Sequence, residues 1–205
     1  GLLIQAEAHY QSSMDLGVRT GNQSGIRINR VNLALCRAVM AVEESEDLGW
    51  WGRVGPDLAR ESRDVLAKEA ESQRSPALFN AAAALSLALG DSAEGARLSA
   101  RGLEGARGPE RRVPLLIHAG LAASELGRFD EAAGRLEEAR RTLEGEGLPQ
   151  LEFEVQKALG AVAGSAGDSA QAEKHLELAH EIAERKPRAI SGSGVRLLSD
   201  EFSVH

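Results

Sequence analysis

Apolar residues recur at helical spacing along most of the chain. Near the start, Leu3, Ala6, Tyr10 and Met14 form one stripe of a helix that reaches about residue 18. From residue 26 to about 44 the pattern is apolar on most sides, which is typical of a helix buried between neighbours. No segment alternates with the period of two expected of a half-buried strand. The pattern therefore predicts an all-α protein.

Proline and glycine divide the rest of the chain into helices. Proline fits the first turn of a helix, and Pro56, Pro76, Pro109 and Pro149 each precede an amphipathic segment. The predicted helices cover about residues 56–72, 75–89, 93–103, 109–126, 130–144, 149–166 and 169–186.

Three turn glycines reveal an internal repeat. Gly90, Gly127 and Gly167 are separated by 37 and 40 residues. Each glycine is expected to end one helix in a left-handed conformation. Asp91 or Asp168 is then expected to cap the next helix, with Glu94 or Gln171 three residues later completing a capping box.

Small residues flank each turn glycine at fixed distances. Seven residues before it stand Ala83, Gly120 or Gly160, and five after it stand Gly95, Ala132 or Ala172. Facing small residues let two antiparallel helices approach closely. Each pair leaves an apolar face that the next pair covers, as in a repeat solenoid.

The order Gly120, Gly127, Phe129, Ala132, Leu136 and Ala139 resembles the signature of the tetratricopeptide repeat (TPR) family. The 40-residue step exceeds the usual 34, and is similar to the longer-helix variant found in large bacterial signalling and transcription regulators. The resemblance covers about residues 75–186 well and residues 1–74 loosely. It implies a right-handed superhelical solenoid of antiparallel helix pairs over residues 1–187, with units at about 1–20 (partial), 26–72, 75–106, 109–146 and 149–187.

Composition narrows the function classes. The net charge is −7, so the basic face of a nucleic-acid-binding protein is not expected. The single cysteine, Cys36, suits a reducing compartment, and the expected location is the cytoplasm. No apolar run approaches the roughly 18 residues of a membrane helix. Because the chain begins with Gly1, we interpret it as a piece of a longer protein, with a composition that indicates a GC-rich bacterial source.

Candidate chemistry is sparse. His175 and His180 are five residues apart, which does not place them on one helical face for a metal, and a solvated face is expected for them. His118 lies in an otherwise apolar helix start, which favours packing or partial exposure, and Cys36 lies in an apolar helix that favours burial. Residues 191–194 are glycine-rich but lack the lysine of a phosphate loop. We therefore expect no enzyme activity, no cofactor and no metal.

The resemblance implies that the first helix of each pair lines a concave groove. The groove residues carried over are Ile28, Val31, Leu35, Asn80, Ala84, Leu87, Ile117, Leu121, Ser124 and Lys157. Family members that grip a terminal carboxylate use a cluster of Lys, Arg and Asn, of which only Asn80 and Lys157 remain. An amphipathic helix, or a segment of the same parent chain, is the expected partner.

These features predict a protein-interaction and regulatory module, a scaffold within a multidomain bacterial signalling protein. Self-assembly and ligand sensing stay open as alternatives. Trp50 and Trp51 either cover an apolar gap between helices or contact a partner.

Two further expectations concern the ends of the chain. The first helix should expose Leu3, Tyr10 and Met14, because its partner helix is missing. Residues 188–205 form a linker and a short tail, in which Val195, Leu198 and Phe202 have the spacing of one helical stripe. Residues 195–203 are expected to cap the last repeat as a short helix, or else to dock in a groove.

Overall fold

The computed structural model describes residues 2–43 and 55–185, and every element in these ranges is an α-helix. The helices are α1 (Leu2–Thr20), α2 (Gln23–Glu43), α3 (Gly55–Gln73), α4 (Pro76–Ala88), α5 (Ser92–Gly105), α6 (Pro109–Glu125), α7 (Phe129–Thr142), α8 (Pro149–Ser165) and α9 (Ser169–Arg185). The predicted bounds agree to within a few residues. Helix α2 begins at Gln23, three residues before the predicted start at residue 26. Asn22 caps this earlier start by accepting a hydrogen bond from the Gly25 N–H at 2.9 Å.

The helices stack as antiparallel pairs in a right-handed, TPR-like solenoid, as predicted. In each pair the first helix is α2, α4, α6 or α8, and the second is α3, α5, α7 or α9. Successive first helices pack extensively on one another, whereas successive second helices meet at few points. A curved stack is concave where its neighbours lie closest, so the first helices line the concave side. Helix α1 packs on α2 as the second helix of a preceding pair would.

The turn glycines adopt the expected left-handed conformation. The φ angles of Gly90, Gly127 and Gly167 are 73°, 75° and 85°. Asp91 caps α5 by accepting from the Glu94 N–H at 3.3 Å. The prediction of a full capping box at this turn is wrong, because the Glu94 carboxylate binds Arg97 at 2.7 Å and the Asp91 N–H donates to the Ser86 carbonyl.

In the pairs α6–α7 and α8–α9, the two helices cross at a glycine of the first helix. A methyl group on Gly120 would lie 2.8 Å from Leu136 Cγ, and one on Gly160 would lie 3.1 Å from Leu176 Cγ. Such distances are shorter than ordinary van der Waals contact, so the close approach depends on the missing side chain. The predicted crossings at Gly120 and Gly160 are confirmed.

Two apolar clusters form the core. The first extends from α2 to α6 and includes Cys36, Leu66, Leu78 and Leu115, and the second extends from α6 to α8. Burial raises the pKa of the Cys36 thiol to about 11, so the thiol stays protonated at neutral pH. The burial predicted for Cys36 is confirmed.

The prediction for α1 needs correction. Ala6 and Tyr10 pack against the first cluster, and Met14 is half-buried. Their stripe is therefore the face that packs on α2, not an exposed one. Among the described side chains of α1, the large apolar ones that are exposed are those of Ile4, Leu16 and Val18.

Several predictions fall outside the described residues. They concern Trp50, Trp51, the side chain of Leu3, and the tail 188–205 with Val195, Leu198 and Phe202. Among the helices that are described, none combines the length and apolar character needed to cross a membrane.

Candidate binding groove

The concave side carries a groove at the level of α4 and α6. Five of the predicted positions lie here with half-buried side chains, and we call them the central groove: Asn80, Leu87, Ile117, Leu121 and Ser124. Successive first helices pack side by side, so α4 and α6 bring these residues onto one surface.

The apolar part of the central groove is anchored in the core. Ile117 and Leu121 pack against the second apolar cluster yet keep part of their surface accessible. The Leu87 side chain leans on α5, where Gly95 leaves room for it: a methyl group on Gly95 would lie 3.3 Å from Leu87 Cδ2. The accessible apolar surface is therefore held in place by packing below it. Such a surface is preformed for binding.

One hydrogen-bonded pair interrupts this apolar surface. His118 Nδ1 on α6 lies 2.9 Å from Asn80 Oδ1 on α4. Burial lowers the pKa of His118 to about 4, so the imidazole is neutral at neutral pH. Because the amide oxygen only accepts, the proton is assigned to Nδ1, which leaves Nε2 as an acceptor and the Asn80 amide nitrogen as a donor. The pair is an uncharged polar point between two repeats.

The pairing of His118 was missed by sequence reasoning, which expected packing or partial exposure. Asn80 and His118 are 38 residues apart. This separation is close to the repeat step of 37 to 40 residues between turn glycines. Two polar residues one repeat apart on first helices were therefore the available signal.

The groove becomes polar at α8. Lys157 is exposed, with its ammonium 3.9 Å from Glu154 Oε2 and 5.2 Å from the centroid of the Phe153 ring. The neighbouring carboxylate offsets the charge of Lys157. This end of the groove is therefore close to neutral and differs from a cationic carboxylate grip.

On α2, fewer of the predicted residues are accessible in the groove. Val31 and Leu35 are 9% and 7% exposed and belong to the first apolar cluster, so their assignment to the groove is wrong. They are buried because α2 packs against α1, α3 and α4. Ala84 on α4 is also buried. Ile28 is 57% exposed and remains available.

The outer side of the array is charged. Arg101 Nη2 lies 2.8 Å from Glu71 Oε2, and Arg63 Nη1 lies 3.0 Å from Asp91 Oδ2, so two ion pairs join α3 to the α5 region. The polar outer side and the apolar central groove therefore offer different chemistry to a partner.

The histidines of α9 differ from one another. His180 is exposed and lies 3.2 Å from Glu184. The expectation of a solvated face is wrong for His175, whose Nδ1 lies 2.8 Å from Gln156 Oε1 on α8 and whose pKa is lowered, mainly by burial. Across residues 2–43 and 55–185, no group of three or more His, Cys, Asp and Glu could hold a metal ion.

Comparison with known proteins gives information about the fold alone. No protein-family model matches the chain, and no curated protein matches it. A solved structure titled "Crystal structure of MamA protein" superposes with a TM-score of 0.51 at 14% identity, covering 90% of this chain and 96% of that one. At this identity the likeness extends to the architecture and no further. The chain has a TPR-like helical-repeat fold.

Proposed function

We propose that the chain is a protein-interaction module that binds a partner segment in the central groove. We place it in a larger multidomain bacterial regulator of the cytoplasm. The observation that carries the proposal is the row of half-buried apolar side chains, Leu87, Ile117 and Leu121, on the concave side of a packed array. An accessible apolar row on a fixed scaffold gains free energy when a partner covers it.

The partner that fits this groove is an amphipathic helix. A helix offers apolar residues at i, i+3, i+4 and i+7, and such a row can lie along α4 and α6. The neutral Asn80–His118 pair offers a donor and an acceptor, which suits an amide or hydroxyl side chain better than a charged one. A segment of the same parent protein meets these requirements as well as a separate protein does.

Site-specific crosslinking tests the proposal. A photoreactive amino acid replaces Leu121 in the groove, and a matched variant carries it at Ala133, an exposed position on α7. Crosslinking in bacterial cells should give a discrete protein adduct from position 121 and none from position 133. Equal adducts from both positions would contradict the proposal.

A groove variant separates binding from adventitious capture. The partner recovered through position 121 is purified and titrated against the chain and against Ile117→Lys. Placing an ammonium on the apolar row should weaken binding at least about tenfold, or roughly 1.4 kcal/mol. The matched variant Ala133→Lys should bind as the parent chain does, and thermal unfolding verifies that both variants remain folded. Unchanged affinity of a folded Ile117→Lys protein would refute groove binding.

A further inference from the structure

The last described helix, α9, has an apolar strip of Ala172, Leu176, Ile182 and Ala183 that the described residues leave partly uncovered. Leu176 is 53% exposed, whereas Leu136 at the equivalent position of α7 is fully buried. Both leucines sit against the glycine of their own first helix, Gly160 and Gly120. The difference arises on the other side, where α8 packs on α7 and completes the second apolar cluster. In the described part of the chain, no helix does the same for α9.

Acidic residues border this strip. Glu173, Glu177 and Glu184 are exposed and, at i, i+4 and i+11, follow one line of α9 beside Leu176. His180 pairs with Glu184 and is exposed as well. An occupant of the strip must therefore be apolar at its centre and is favoured by positive charge at its edge.

We propose that residues 195–203 of the same chain cover the α9 strip, with Val195, Leu198 and Phe202 against Leu176. Their spacing of i, i+3 and i+7 supplies one apolar row. The 20 residues from 186 to 205 are also similar in number to the residues with which an earlier unit covers the unit before it. The first helices α2, α4, α6 and α8 have 13 to 21 residues, and each follows a short connection.

The connecting residues are long enough to reach the strip. Leu176 lies nine residues before the end of α9 at Arg185, a distance of about 14 Å along the helix. Residues 186–194, with their Ser-Gly-Ser-Gly run, can span about 30 Å when extended. The chain can therefore turn back along α9 without strain.

Charge favours this segment over a second copy. Residues 186–205 carry three basic residues, Lys186, Arg188 and Arg196, against two acidic ones, Asp200 and Glu201. The segment as a whole therefore brings more positive than negative charge to the acidic border of the strip. Two copies joined through α9 would instead bring Glu173, Glu177 and Glu184 of one copy towards the same residues of the other. Like charges in contact oppose such a dimer. This proposal is independent of the binding of a partner in the central groove.

Thiol labelling of the chain of residues 1–205 tests the proposal. Cys36, the single cysteine, is buried and is replaced by alanine, and Leu176→Cys then places one thiol in the strip. Its alkylation rate is compared with that of the same protein carrying Leu198→Ser and Phe202→Ser. Opening the cover should raise the rate at least about fivefold. Val204→Ser replaces an apolar residue outside the 195–203 row and should leave the alkylation rate unchanged.

A second reporter and a concentration series make each outcome decisive. Leu126→Cys, at a position 40% exposed beside the turn after α6, should react equally in all tail variants. An alkylation rate at position 176 that is unchanged by Leu198→Ser and Phe202→Ser would overturn the proposal. So would a rate that falls as protein concentration rises, with a doubled mass by light scattering, because a second copy would then be the cover.

Discussion

The α6–α7 and α8–α9 crossings use the same two residue types and differ in confinement. In the inner crossing, Gly120 faces Leu136, which is fully buried. In the outer crossing, Gly160 faces Leu176, which is 53% exposed. A methyl group on the glycine would lie 2.8 Å from leucine Cγ in the inner crossing and 3.1 Å in the outer one. In a solenoid the neighbouring unit, as well as the residue itself, sets how tightly a position is held.

The largest difference is expected on truncating the leucines. Leu136→Ala removes a fully buried side chain and should lower the free energy of unfolding by about 2–5 kcal/mol. Leu176→Ala should cost about 1 kcal/mol, because half of its surface lies outside the helical core. Urea unfolding of the two variants measures both values. Equal losses would show that the crossings are equally confined.

Acid should destabilise the inner region through His118. Its pKa is about 4 in the folded chain and near 6.5 when unfolded, so the unfolded state binds more protons between these values. The stability due to neutral His118 is complete above pH 6.5 and is lost as the pH falls towards 4, by up to about 3 kcal/mol. Unfolding of the parent chain and His118→Gln across this range isolates the effect, and parallel curves would contradict it. His180→Gln, at an exposed site on α9, is the control.

Adding one methyl group probes the same comparison more gently. Gly120→Ala should cost about 1–3 kcal/mol, because Leu136 is enclosed and cannot move away. Gly160→Ala should cost less than about 1 kcal/mol, since no described helix encloses Leu176 and its side chain can move away from α8. Thermal unfolding ranks the two, and a larger loss at Gly160 would reverse the account of confinement.

The smallest effect is expected where a helical glycine meets no neighbour. A methyl group on Gly134 of α7 has nothing within 4 Å. Gly134→Ala should therefore stabilise the chain by about 0.5–1 kcal/mol, because alanine restricts the unfolded chain and favours the helix. A decrease in melting temperature would mean that Gly134 is packed against another part of the protein.

Local signals predicted the fold well. Proline at the start of α4, α6 and α8 and glycine at the turns after these helices mark helix ends through backbone geometry, so a sequence reveals them directly. The crossings at Gly120 and Gly160 were predicted from small residues at a fixed distance from those turns.

The candidate site was harder to predict because it depends on contacts between units. Val31 and Leu35 share the apolar character of Leu121, yet they are buried because α2 is enclosed by three helices. The Asn80–His118 hydrogen bond joins residues one repeat apart, and its partner choice depends on how the first helices stack. The burial of Leu176 likewise depends on whether another segment packs against α9, and the residues of α9 alone do not reveal this.

Hydrogen exchange on the complex with the crosslinked partner tests the central claim most directly. The partner recovered through position 121 is added to the chain of residues 1–205, and amide protection is mapped by mass spectrometry. Binding in the central groove predicts slower exchange in α4 and α6, around Leu87 and Ile117, with α3 and α5 unchanged. Protection confined to the charged outer surface of α3 and α5 would show that the partner binds there, and the groove would not be the binding site.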